Sequence, residues 1–132
     1  MKRLSHALLL LLFCIIGCDF FEEEIVDVYS TGNLINQWEL IKYEQGFAES
    51  LQWEKGDNTA TWTFASNGIL TVEINPLMSF FPLQSEGTYT FEVQDDSLFI
   101  GEKGYYHIIQ NDTLIIYDKV EVDGPKATFV KE

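Results

Sequence analysis

From Gln37 to the C-terminus, apolar and polar side chains alternate with a period of two. Trp38, Leu40 and Lys42 alternate with Glu39, Ile41 and Tyr43; Ala60, Trp62 and Phe64 are separated by threonines; Leu70, Val72 and Ile74 alternate with Ile69, Thr71 and Glu73. Successive strand residues point to opposite faces, so this pattern predicts short strands with one buried face. No stretch of ten or more residues keeps a helical period, which argues against a helical bundle. The least decided segment is Glu44 to Glu54, where Phe47, Leu51 and Trp53 suit a short helix and a strand about equally.

Register follows from the turns. At Ser66-Asn67-Gly68, a two-residue Asn-Gly loop would set Phe64 opposite Thr71, an apolar face against a polar one. A three-residue loop ending in a left-handed Gly68 instead pairs Phe64 with Leu70, Trp62 with Val72 and Ala60 with Ile74. A second hairpin through Gln94-Asp95-Asp96-Ser97 pairs Val93 with Leu98 and Phe91 with Ile100. For Tyr105 to Tyr117 two registers compete. A loop of Gln110-Asn111-Asp112 pairs Ile108 with Leu114 and leaves His107 outside, whereas a loop of Asn111-Asp112 sends His107 into the core. The first is expected, because a buried imidazole needs a partner that the pattern does not offer. A last strand near Lys126 to Val130, with Phe129 inward, follows the turn Asp123-Gly124-Pro125. Consecutive hairpins with one apolar face each must close or be covered to hide their edges. The expected fold is therefore all-β, a small antiparallel up-and-down barrel of about eight strands.

The N-terminus has a different logic. Lys2 and Arg3 precede an apolar run from Ala7 to Ile16, and Gly17 is small, the layout of an export signal over residues 1–17. The run is shorter than the roughly 20 residues that a membrane-spanning helix needs. Ile15-Ile16-Gly17-Cys18 resembles the lipobox of bacterial lipoproteins, with Ile15 where the commonest form has leucine. The resemblance implies cleavage before Cys18, acylation of its thiol (palmitate is typical) and of the new amine, and hence a lipid bilayer as partner at the cell envelope. Residues 18–32 read as an acidic tether, with Glu22, Glu23, Glu24 and Asp27 beside Ser30, Thr31 and Gly32. Acidic residues soon after such a cysteine resemble a signal for the outer membrane and its outer face.

Charge and cysteine content narrow the function. The chain carries 21 acidic and 8 basic residues, a formal charge of −13, and Lys2 and Arg3 lie inside the predicted signal. Such a surface repels phosphate backbones, so nucleic acid is not an expected partner. Cys14 also lies in the signal, leaving no cysteine pair for a disulfide framework. Of the two histidines only His107 follows the signal, so neither a Cys/His nor a Ser/His/Asp arrangement is legible. No enzyme activity, metal or cofactor is expected. Asp96-Ser97-Leu98 and Asp112-Thr113-Leu114 resemble an O-glycosylation motif of some exported bacterial proteins, and each also reads as a turn entering a strand.

The run Gly32 to Leu40 around Trp38, then Trp62-Thr63-Phe64 with Asn67-Gly68, Gly87-Thr88-Tyr89, Asp96-Ser97-Leu98, Asp112-Thr113-Leu114 and Thr128-Phe129-Val130-Lys131 together resemble the lipocalin-like domain of bacterial lipoproteins, over residues 33–132. The resemblance implies a barrel able to hold a small apolar ligand and carries no catalytic residues. An eight-stranded barrel is wide enough either to be filled by its own side chains or to hold one small ligand. Trp38, Trp62, Phe64, Tyr89 and Phe91 are the candidate lining residues, and their bulk, with Tyr106 and Phe129, favours a packed core over an open calyx. Packing alone does not predict the apolar loop Asn75 to Ser85, with Pro76, Leu77, Met78, Phe80, Phe81, Pro82 and Leu83. It is expected to lid or plug the barrel mouth or to dock on an envelope protein, with Met78 and Phe80 as anchors.

Overall fold

The computed structural model describes residues 31–46, 50–80 and 82–132. The expected signal, Cys18 and most of the tether lie outside the described residues, as do Phe47 and Phe81. A short helix α1 (Thr31–Leu34) leads into β1 (Gln37–Gln45), β2 (Ser50–Gln52), β3 (Ala60–Phe64), β4 (Ile69–Ile74), β5 (Gly87–Gln94), β6 (Ser97–Ile100), β7 (Lys103–Gln110) and β8 (Thr113–Tyr117). A 3-10 turn (Val120–Val122) precedes β9 (Pro125–Lys131). Strands β1, β3, β4, β5, β6, β7, β8 and β9 pair in that order, and β9 returns to β1, so eight antiparallel strands close into a barrel. The ninth, β2, lies outside the ring and pairs only with the C-terminal half of β1.

Two hairpins have the register expected from their turns. Phe64 pairs with Leu70, Trp62 with Val72 and Ala60 with Ile74, around a left-handed Gly68 at φ +79°. The Ala65 N–H donates to the Ile69 carbonyl at 2.9 Å, which closes the three-residue loop. Phe91 pairs with Ile100 and Val93 with Leu98. The third hairpin corrects the expectation. His107 pairs with Ile116 and Ile109 with Leu114 across the two-residue loop Asn111-Asp112, and His107 is wholly buried. Asn111 accepts the left-handed φ of +53° that this turn requires, a conformation asparagine tolerates better than most residues. The missing partner for the imidazole is a backbone group: Nδ1 lies 3.0 Å from the carbonyl oxygen of Asp96, in the neighbouring β5–β6 turn.

A second departure lies in β1. Its pairing with β9 shifts register between Leu40 and Lys42, and one extra residue on a strand reverses which side chains face inward beyond it. Trp38, Leu40 and Tyr43 are therefore all buried, while Lys42 points out to pair with Glu44 at 3.2 Å.

The buried set fills the barrel. Trp62 packs against Phe129 with ring centroids 5.0 Å apart, and Phe64 meets Phe91 edge-on at 5.0 Å. Helix α1 seats Leu34 in the same core, and its carbonyl accepts the Trp38 indole N–H at 2.9 Å. The barrel thus has a turn end, carrying α1 and the tight β3–β4, β5–β6 and β7–β8 hairpins. The opposite loop end carries the connections 75–86 and 118–124.

Glu39 is polar yet only 2% exposed, because the segment 54–58 folds over it. Its carboxylate accepts the Gly56 N–H at 2.8 and 3.1 Å and the Asn58 N–H at 2.8 Å. Bonds to a charged acceptor are worth about 1.5–3 kcal/mol. Replacing Glu39 by alanine strands both donors, so urea denaturation should show a loss of about 2 kcal/mol, with Glu39→Gln intermediate because an amide oxygen still accepts.

Candidate binding site at the loop end

The candidate lining residues divide into two groups. Trp38, Trp62 and Phe64 are almost inaccessible and Phe91 is buried, all within the one hydrophobic core. Met78, Phe80 and Tyr89 gather at the loop end, half-buried and packed on the margin of the core. The lumen is thus the hydrophobic core, and the accessible apolar surface lies at the mouth.

Local chemistry explains the loop there. Asn75 forms a side-chain-closed turn, its Oδ1 accepting the Leu77 N–H at 2.9 Å, while its backbone carbonyl accepts the Met78 N–H at 2.9 Å. Pro76 presets φ within that turn. The turn lifts Leu77 into solvent, 92% exposed, and returns the chain inward at Met78 and Phe80. Further on, the Tyr105 hydroxyl accepts from Gln84 Nε2 at 2.8 Å and donates to the Leu83 carbonyl at 3.3 Å. Burial pushes that phenol above its ordinary pKa, so the hydroxyl stays protonated and able to donate. This tie holds Leu83 at φ +67°, costly for a branched side chain. Tyr89 fixes the loop's exit, its hydroxyl 2.8 Å from both the hydroxyl and the carbonyl oxygen of Ser85.

Phe80 is the centre of the mouth. It stacks on Tyr43 with centroids 5.2 Å apart and on Trp53 at 6.2 Å, with interplanar angles of 25° and 23°. Beside it lies an open cleft of about 170 Å³ lined by Tyr43, Gln45, Leu51 and Phe80. Phe80 and Met78 therefore plug the barrel while one side of Phe80 remains a wall of the cleft. Sequence reasoning missed Tyr43, Gln45, Leu51 and Trp53 as site residues. In the sequence pattern Tyr43 alternates with Trp38 and Leu40, and the other three lie in the undecided segment Glu44 to Glu54; the density of aromatics there is the available signal.

A smaller polar recess of about 140 Å³ lies outside the barrel, among Glu44, Gly46, Tyr117, Asp123, Gly124 and Lys126. Glu44 bridges Lys126 at 2.7 Å and Lys42 at 3.2 Å. Lys126 lowers the Glu44 carboxyl pKa, and Glu44 raises that of the Lys126 ammonium. These groups are partly exposed, and both lysines share the one Glu44 carboxylate. Lys103 is held by Asp118 at 2.7 Å in the same way. Among the described residues no three His, Cys, Asp or Glu side chains converge as a metal site would require. His107 lies in the barrel core, hydrogen-bonded to a backbone carbonyl.

No family model and no curated protein matches the chain. The fold itself is a closed antiparallel β-barrel with one added strand, of the small lipocalin-like kind.

Proposed function

We propose that this chain is a lipid-anchored lipoprotein of the cell envelope, held at the outer membrane through acylated Cys18, whose lipocalin-like barrel is a non-catalytic binding module. The observation that carries the binding reading is the division of apolar surface. Side chains of the core fill the lumen, while the loop end keeps Leu77 in solvent and a cleft open beside Phe80. Binding is therefore the work of the mouth. The described chain enters the barrel through α1 at the turn end, opposite that mouth.

Two occupants fit this chemistry, a small apolar ligand in the cleft and an apolar side chain of an envelope protein. Cavities for drug-sized ligands run about 300–1,000 Å³, and the cleft has about 170 Å³. That size and the isolation of Leu77 favour the protein. Metabolic labelling with an alkyne palmitate tests the anchor: the label should mark the wild-type chain, and Cys18→Ser should abolish it and move the protein to the soluble fraction. Native mass spectrometry of the acylated chain from its own host tests the occupant. A stoichiometric polypeptide lost in Leu77→Ser is expected, with stability changed by less than about 0.5 kcal/mol because the side chain touches little. A co-purifying small molecule retained by that variant would reverse the order of the two readings.

A further inference from the structure

Closing a barrel leaves no free strand edge, and this barrel closes without β2. Strand β2 therefore has one neighbour, β1, and its three residues are all exposed. The hydrogen-bond phase along the pair can be read from one bond. The Trp53 N–H donates to the Ile41 carbonyl at 2.8 Å, and in antiparallel pairs bonded and unbonded positions alternate. Leu51 thus exchanges bonds with Tyr43, whereas Ser50 and Gln52, opposite Glu44 and Lys42, aim their N–H and C=O groups away from β1. Among the described residues no strand lies beyond them.

Side chains around the edge match the backbone. Leu51 shares the face of Tyr43, and together with Gln45 and Phe80 they line the open cleft, so a strand added along β2 would set every second side chain toward it. The surrounding charge is mainly acidic. Glu54, Glu73, Glu86, Glu102 and Glu121 are exposed on the segments at this end, against two exposed lysines, Lys55 and Lys119, while Lys42 and Lys126 share the Glu44 carboxylate and Lys103 pairs with Asp118.

We infer that β2 is a docking edge for an extended segment of a partner protein, one with alternating apolar residues flanked by basic ones, which adds as a tenth strand and seats an apolar side chain in the Phe80 cleft. Main-chain bonds to Ser50 and Gln52 supply affinity, the cleft selects the side chain, and the acidic surround selects the flanks. This rests on the mouth being the binding end and adds which polypeptide it takes and by what bonds.

The test uses the full acylated chain in phosphatidylcholine vesicles and two labelled heptapeptides, Lys-Thr-Leu-Thr-Leu-Thr-Lys and its counterpart with glutamate at both ends. The lysine-flanked peptide should bind at least tenfold tighter, the gap narrowing as salt screens it. Its binding should slow amide exchange at Ser50 and Gln52 at least tenfold. Gln52→Pro removes an outward N–H that the fold does not use, so it should keep the barrel intact and weaken the peptide at least tenfold, while Gln52→Ala binds as wild type. Equal binding of both peptides, undiminished binding to Gln52→Pro, no binding at all, or a self-dimer dissolved by Gln52→Pro each overturns the inference. A natural partner lost in Leu77→Ser yet kept in Gln52→Pro would leave the mouth as the binding end and remove the edge from it.

Discussion

Replacing Trp62 by alanine should cost about 3–5 kcal/mol, the range for truncating a large aromatic in a packed core. Trp62 is fully buried, packs on Phe129 at 5.0 Å and lies 6.2 Å from Phe64, which in turn meets Phe91. The void would open at the centre of the aromatic cluster, where a closed ring of strands cannot collapse to fill it. Domains of this size are stable by about 5–15 kcal/mol in total. The variant's urea midpoint should therefore fall by about a fifth or more. Trp62→Phe separates packing from polarity. Among the described residues nothing accepts the Trp62 indole N–H, so phenylalanine gives up volume and also relieves a buried donor. A change of no more than about 1 kcal/mol is expected for it. A lumen built to hold ligand predicts the opposite for alanine: little loss of stability and a larger cavity, visible as uptake of an apolar dye.

Most of the barrel was legible because a two-residue period and a turn together set register. At Ser66-Asn67-Gly68 only one loop length brings Trp62 and Phe64 onto the same face as Val72 and Leu70. Where two loop lengths both buried apolar residues, at Asn111-Asp112, the decision rested on a partner for His107. That partner is the Asp96 carbonyl, a backbone atom from another hairpin that no side-chain pattern displays. The β1 bulge was invisible for a related reason. It lies in the pairing of β1 with β9, and it turns Tyr43 to the inner face, where Phe80 stacks on it. The site at the mouth was half legible: the apolar composition of 75–85 marked the loop, but the surface it covers lies some thirty residues earlier in the chain, on β1 and in the segment around β2.

His107 makes the barrel sensitive to mild acid. Its ring is buried in the core, and a carbonyl oxygen can only accept, so Nδ1 carries the proton that bonds Asp96 and the imidazole is neutral. Burial lowers its pKa below the ordinary 6.5, outweighing the opposite pull of the Asp96 carbonyl and carboxylate. As pH falls through 6.5, the unfolded chain takes up a proton that the folded chain refuses. The stabilisation is whole above 6.5 and is lost as pH drops toward the folded value, with a slope approaching about 1.4 kcal/mol per pH unit for one proton. Glu44 acts lower on the scale. Its carboxyl is held below the ordinary 4.5, chiefly by Lys126, so its contribution persists above 4.5 and is lost only below it. Urea midpoints at pH 7.5, 6.5 and 5.5 therefore isolate the histidine. The wild-type midpoint should fall between 6.5 and 5.5, and His107→Leu should hold nearly level across the same interval. It should start slightly lower at pH 7.5, because Asp96 loses the ring proton but keeps the backbone N–H of residue 107, 3.0 Å away. Parallel slopes for the two proteins would mean that the proton is taken up elsewhere, and that the buried ring is charged or reached by water before the barrel opens.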